Sequence, residues 1–313
     1  MDTLNKIGLF IMVIITGALY RRYMDKYELE HDIQDLYIIN KELLNHQQKP
    51  ILWIPVPRYN NARRWSSFYS RNSDDLNIPY MYLTISSIMQ RCGDDFAICI
   101  IDDNSFEHLL PNWTPELDKI GDPLREKVRY LGMMQLLYHY GGIIIPPSFL
   151  CLKNIKPLYN FDTHHHPCIV ENVDYYGDSK FAPDPYFIMA HPKCPIIATY
   201  VEYLARMTSN DYTAESLFLN DTSKWCAMRC REGKMLMIDG SLVGIKNIKG
   251  QPIISDVMFE QNPLGLADNK YGILIPHEQI AKRTALNWFC AIHKNELVKL
   301  HTELGSYFAF VEK

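Results

Sequence analysis

Short continuous apolar runs alternate along this chain with longer segments whose apolar residues recur every three or four positions. ILWIPV from Ile51 to Val56, FAICII from Phe96 to Ile101 and III from Ile143 to Ile145 are unbroken and bounded by turn residues, the pattern of strands buried on both faces. Cys168 to Val170 and Tyr186 to Met189 read as two more strands. Between them the spacing predicts helices. Tyr80 to Arg91 places Ile85, Ile88 and Met89 on one face. A clearer helix starts at Asp122-Pro123, where aspartate suits the cap and proline the first turn. Its stripe of Leu124, Val128, Leu131, Met134 and Leu137 faces the core, and Gly141 ends it in a left-handed cap. Cys194 to Met207 is a further helix. The expected fold is α/β, an open and largely parallel sheet sandwiched by helices.

The first fifty residues follow another pattern. Ile7 to Tyr20 is uncharged and mostly apolar, flanked by Lys6 and by Arg21-Arg22. A helix crossing about 30 Å of hydrocarbon needs roughly 20 residues, and snorkelling of Lys6 and Arg21 extends this shorter run. A signal peptide is the rival reading, but no small-x-small cleavage site follows; a buried core helix is the third. The expected organisation is a single-pass membrane anchor over residues 1–22, a polar helical stalk over 23–49 and a globular domain over 50–313. Arg21, Arg22 and Lys26 would hold that domain on the cytoplasmic side, whereas transfer in a secretory lumen needs the opposite side, so the side stays open.

Composition narrows the function classes. The chain has 313 residues, 47% of them apolar, enough to bury a substantial core. A formal charge of -4 and the lack of a long basic tract argue against a nucleic-acid partner. Eight cysteines lie scattered without a dense framework and do not decide the redox compartment. His164, His165, His166 and Cys168 do not form zinc-finger spacing, since adjacent histidines cannot all face one ion. No glycine-rich phosphate loop or serine triad stands out. Ligands of open α/β sheets bind beyond the carboxyl ends of the strands, and polar clusters fall there at Asp102-Asp103-Asn104, Pro146 to Ser148, and Glu171-Asn172 with Asp174.

The run YHYGGIIIPPS from Tyr138 to Ser148 resembles the tyrosine-glycine-glycine element and following strand of sugar transferases that carry an Asp-x-Asp pair directly after that strand. These are GT-A fold glycosyltransferases of the DXD type, which include yeast initiating mannosyltransferases and bacterial capsule enzymes. The chain looks most like the divergent forms encoded by large DNA viruses. The resemblance implies a GT-A-like sheet, a nucleotide sugar as donor and a glycan as acceptor. It puts Trp53 beside the nucleotide and makes Arg58, Arg63, Arg64 and Lys153 candidate cations for the diphosphate, a solvated basic loop being the alternative. Asp102 and Asp103 would bind ribose or supply a base, or else simply form a turn at the strand end; Glu171 would line the pocket, and His293 would match the family's late histidine. The Asp-x-Asp slot holds Pro146-Pro147-Ser148, with Ser148 as its one polar side chain. A Ser-Asp-x-x-Arg element expected on the preceding helix is replaced around Arg129, Tyr130 and Met133.

That replacement decides what chemistry to expect. Transfer from a nucleotide sugar leaves a diphosphate whose charge a divalent cation usually holds. Proline offers no ligand and serine only a neutral hydroxyl, so no divalent metal is expected. Two functions follow: a membrane-anchored glycosyltransferase-like protein whose transfer is metal-independent or lost, or an inactive pseudoenzyme serving as a structural or interaction component of a virion or membrane. A lectin-like sugar binder is the third.

Overall fold

Six strands hydrogen-bond in the order β2-β1-β3-β6-β5-β7 in the computed structural model, which describes residues 49–56, 78–161, 166–175, 177, 179–210 and 215–312. The strands are β1 (Ile51–Pro55), β2 (Ala97–Ile101), β3 (Gly142–Ile144), β5 (Cys168–Val173), β6 (Phe181–Ala190) and β7 (Leu236–Ile238). β1 pairs in parallel with β2 and β3, and β5 in parallel with β7. β6 runs antiparallel to both β3 and β5. The sheet is therefore largely parallel with one reversed strand. The anchor expected over 1–22 and all of the stalk except Lys49 lie outside the described residues, among which no helix is long and apolar enough to cross a membrane.

Alternation along the strands builds two different faces. Leu52, Ile54, Ile143, Ile145, Val170, Phe187 and Met189 form one core with Ile85 and Ile88 of α1 (Tyr80–Cys92). After β2 come α2 (Ser105–Leu109) and the long α3 (Leu124–Tyr140). Trp53 points away from the α1 core: its ring lies 5.9 Å from that of Tyr140, and its indole N–H donates to the Gly141 carbonyl at 2.9 Å. α5 (Pro195–Asn210) and α6 (Glu215–Arg231) join α3 on this second face.

A two-stranded ribbon covers the α1 face. It consists of β4 (Phe149–Cys151) and β8 (Gly272–Leu274), paired antiparallel. Phe149, Cys151 and Leu274 point into the sheet core, while Leu150, Leu152, Ile273 and Ile275 point outward. The outward residues meet a second apolar cluster from the C-terminal helices, including Met258 of α7 (Ser255–Met258), Ile280 of α8 (His277–Lys282), Phe289 of α9 (Trp288–Ala291), Leu297 of α10 (Lys294–Leu297) and Phe308 of α11 (Glu303–Glu312). The short α4 (Lys156–Asn160) adds Leu158 and Tyr159 to the sheet core.

Two expectations about α3 need correction. Asp122 does not cap it: no side chain makes the cap hydrogen bond, and the Arg125 N–H donates to the Gly121 carbonyl at 3.1 Å. The expected single stripe is also too narrow. Leu124 is exposed, whereas Lys127, Arg129, Tyr130 and Met133 are buried along with Val128, Met134 and Leu137. The reason is position: α3 packs on β3 and β6 to one side and on α2, α5 and α6 to others, so it is enclosed beyond one face.

The glycine pair after α3 is a close crossing of backbones. Gly141 has φ +67° and ψ -161°, a positive φ but not the left-handed helical cap expected of it. Gly142 has φ +100°, and a Cβ there would stand 2.0 Å from the Ile51 carbonyl oxygen. The absence of side chains lets β3 leave the helix and enter the sheet directly beside β1.

Candidate functional site

The carboxyl ends of β1, β2, β3, β5 and β7 lie on one edge of the sheet, where β6 begins. This edge gathers Val56, Asp102-Asp103, Pro146 to Ser148, Glu171 to Asp174, Asp184 and Asp239. It is where ligands of open α/β sheets bind.

At the end of β2 the two aspartates have different work. Asp102 Oδ1 accepts from the Asn104 and Ser105 N–H groups at 3.1 and 3.0 Å and from the Ser105 hydroxyl at 2.8 Å, an aspartate turn that opens α2. Asp103 points inward. Its two oxygens accept from Nε and Nη2 of Arg129 at 2.6 and 2.7 Å, with Asp103 9% and Arg129 3% exposed. Glu126 binds the same guanidinium. Burial works to lower the Arg129 pKa, but the hydrogen bonds and charges of Asp103 and Glu126 outweigh it and hold Arg129 above its ordinary range.

At the end of β3 the chain makes a turn over Pro147-Ser148. The Phe149 N–H donates to the Pro146 carbonyl at 3.1 Å, and Thr84 of α1 donates its hydroxyl to the Pro147 carbonyl at 2.6 Å. Ser148 is 5% exposed, and its carbonyl accepts from Ile275 at the end of β8. The slot that resembles the Asp-x-Asp position thus begins the β4–β8 ribbon.

Charge collects at the ends of β5 and β7. Lys246 Nζ sits 2.6 Å from Glu171 and 2.8 Å from Asp239, and Glu171 also accepts from the Gly240 N–H at 3.0 Å. Burial alone would lower the Lys246 pKa, but its hydrogen bonds to Asp239 and Glu171 raise it. Asp239 is held below the usual carboxylate range by Lys246 and Ser241, against the opposing effect of burial. An internal ammonium therefore stands between the two carboxylates. Next to it, Asp184 is 6% exposed and accepts from Asn172 Nδ2 and from the Tyr186 N–H, each at 2.9 Å. Burial outweighs these bonds and pushes its carboxyl up to about 6. Asp174 is occupied by its own loop, accepting from the Gly177 N–H at 2.6 Å.

The other residues singled out by sequence lie apart from this edge or outside the described residues. Trp53 is fully buried on the α3 face, fixing Gly141 rather than facing the edge. His293 is exposed, and its carbonyl accepts from the Glu296 and Leu297 N–H groups of α10. Arg58, Arg63, Arg64, His164 and His165 lie outside the described residues. Lys153 donates to the Asp268 carbonyl at 2.8 Å. Cys226 is buried, which pushes its thiol up to about 12.

Sequence reasoning missed Arg129 as the partner of Asp103, Lys246 as the partner of Glu171, and Asp184. It also missed His277, half-buried after β8, whose Nδ1 pairs with the Tyr80 hydroxyl at 2.9 Å and whose pKa burial lowers. Asp184 did carry a signal, an acid between Pro183 and Pro185 just ahead of an apolar run.

Among the described residues, no three His, Cys, Asp or Glu side chains are grouped to hold a metal ion. Compared with known proteins, the chain matches no family model and no curated protein. What stands is the class: an α/β protein with an open, largely parallel sheet flanked by helices, its ligand edge lined by internally paired charges.

Proposed function

We propose that this chain is a membrane-anchored protein on a GT-A-like glycosyltransferase scaffold that has lost metal-dependent sugar transfer, and that it serves as a structural or interaction component of a membrane or virion. The observation that carries this reading is the turn at the end of β3, which presents no carboxylate. Pro146-Pro147-Ser148 stands where the resemblance calls for two metal-binding carboxylates, with the Pro147 carbonyl bonded to Thr84 and Ser148 buried. The neighbouring acids support it, since Asp103 is neutralised by Arg129 and Glu171 by Lys246. A divalent ion binds hard oxygen ligands, and an ammonium already occupies the space between Glu171 and Asp239.

Metal-independent transfer is the second reading, and one observation favours it. Asp184, at the same edge, has a carboxyl raised to about 6, near the operating pH that suits a general base. The test of both is donor binding by the full-length chain in mild detergent, using UDP- and GDP-sugars with and without manganese. The scaffold reading expects no manganese-dependent binding and no sugar release. Manganese-independent release that Asp184→Asn abolishes would replace it with the second reading.

A further inference from the structure

Cys92, the last residue of α1, and Cys151, the last residue of β4, bring their sulfurs to 3.8 Å of each other, 59 residues apart in sequence. Both are completely buried. The elements that carry them are fastened together at the same place: the Cys151 N–H donates to Ser87 of α1 at 2.9 Å. A disulfide spans about 2.05 Å between sulfurs, so side-chain rotation has roughly 1.8 Å to close. The thiols also differ. In the folded chain their shared hydrogen bond holds Cys92 below the ordinary thiol range and pushes Cys151 well above it.

We propose that Cys92 and Cys151 are a disulfide-forming pair that closes when the chain folds in an oxidising compartment, tying α1 to the β4–β8 ribbon. The oxidant is a small-molecule disulfide of the glutathione type. The Cys92 thiolate attacks one of its sulfurs, forming a mixed disulfide and releasing one glutathione thiol. The Cys151 thiolate then attacks the Cys92 sulfur and releases the second. Two protein thiols and one glutathione disulfide become one protein disulfide and two glutathione thiols. Because neither sulfur reaches solvent in the folded chain, exchange occurs before α1 settles on β4. The folded structure then shields the bond from reductants. This inference is independent of the proposed function.

The test uses the full-length chain, expressed in one host whose cytoplasm permits disulfides and in one that keeps thiols reduced. Each sample is denatured in acid, alkylated without reduction and mapped by peptide mass spectrometry. The expected result is a peptide joining Cys92 to Cys151 from the first host, with both cysteines alkylated in the second. The oxidised sample is expected to melt roughly 5–15 °C above the same sample after reduction, from the loop closed in the unfolded chain. Cys92→Ala from the first host is expected to leave Cys151 alkylated. Alkylation of both cysteines in both hosts overturns the proposal, as does a bond from either one to a different cysteine.

Discussion

Arg129 grips Asp103 through two parallel hydrogen bonds, 2.6 and 2.7 Å long, in a site almost closed to water. The pair joins the end of β2 to the first turns of α3, so it fixes the ligand edge of the sheet to the helix behind it. Removing one partner of a buried ion pair strands the other charge and costs about 3–5 kcal/mol, whereas replacing both by apolar residues is often neutral. Arg129→Met is therefore expected to lower unfolding free energy by about 3–5 kcal/mol. The double variant Arg129→Met/Asp103→Leu is expected to recover most of that. Urea denaturation of the single and double variants checks it; equal losses in both would show that the pair's charges are not what matters.

Two glycines with positive φ separate conformational strain from collision. Gly142 at +100° would place a Cβ 2.0 Å from the Ile51 carbonyl, while Gly233 at +68° has open space around it. A left-handed conformation costs a non-glycine residue about 1–2 kcal/mol. Gly233→Ala is expected to lose about that much in thermal or chemical denaturation. Gly142→Ala is expected to lose more than about 3 kcal/mol, because β1 and β3 cannot keep their register around the new methyl group. Soluble yield and melting temperature, compared between the two variants, give the answer.

The same glycines mark how much of the fold was legible. The run from Tyr138 to Ile145 announced a helix, a break and a buried strand, and all three are there. The close approach of Ile51 was not legible, because a contact between residues so distant in sequence leaves no local pattern. β6 shows a different failure. Only Tyr186 to Met189 read as strand, since Pro183 and Pro185 argue against one. In the structure the strand begins at Phe181, and the prolines are tolerated because this half of β6 pairs with β5 alone, β3 reaching only from Ile188 to Ala190.

The candidate site divides in the same way. The position of Asp102, Asp103, Ser148 and Glu171 at strand ends followed from the apolar runs before them. Their partners did not, because Arg129 and Lys246 come from elements 26 and 75 residues away. Trp53 read as a pocket residue because its strand leads to the edge; strand alternation instead turns it toward α3, where its N–H finds Gly141.

Asp184 gives the fold a pH dependence opposite to that of most carboxylates. An unfolded aspartate titrates near 3.9, and burial raises Asp184 to about 6. The native chain therefore holds this proton more tightly than the unfolded chain. The resulting stabilisation is fully present below about 3.9 and lost as pH rises through about 6. Across that window it amounts to about 2–3 kcal/mol. Urea midpoints measured from pH 4 to pH 8 are expected to show this component in the parent chain and to lack it in Asp184→Asn. An identical pH profile in both chains would place the titration elsewhere.

Under the proposed function, Pro146-Pro147-Ser148 after β3 offers a divalent ion no carboxylate ligand. The most direct measurement is calorimetric titration of manganese into the full-length chain held with a UDP- or GDP-sugar, followed by assay for released sugar. No manganese-dependent heat and no manganese-dependent release are expected. Saturable manganese binding accompanied by donor hydrolysis or transfer would contradict it.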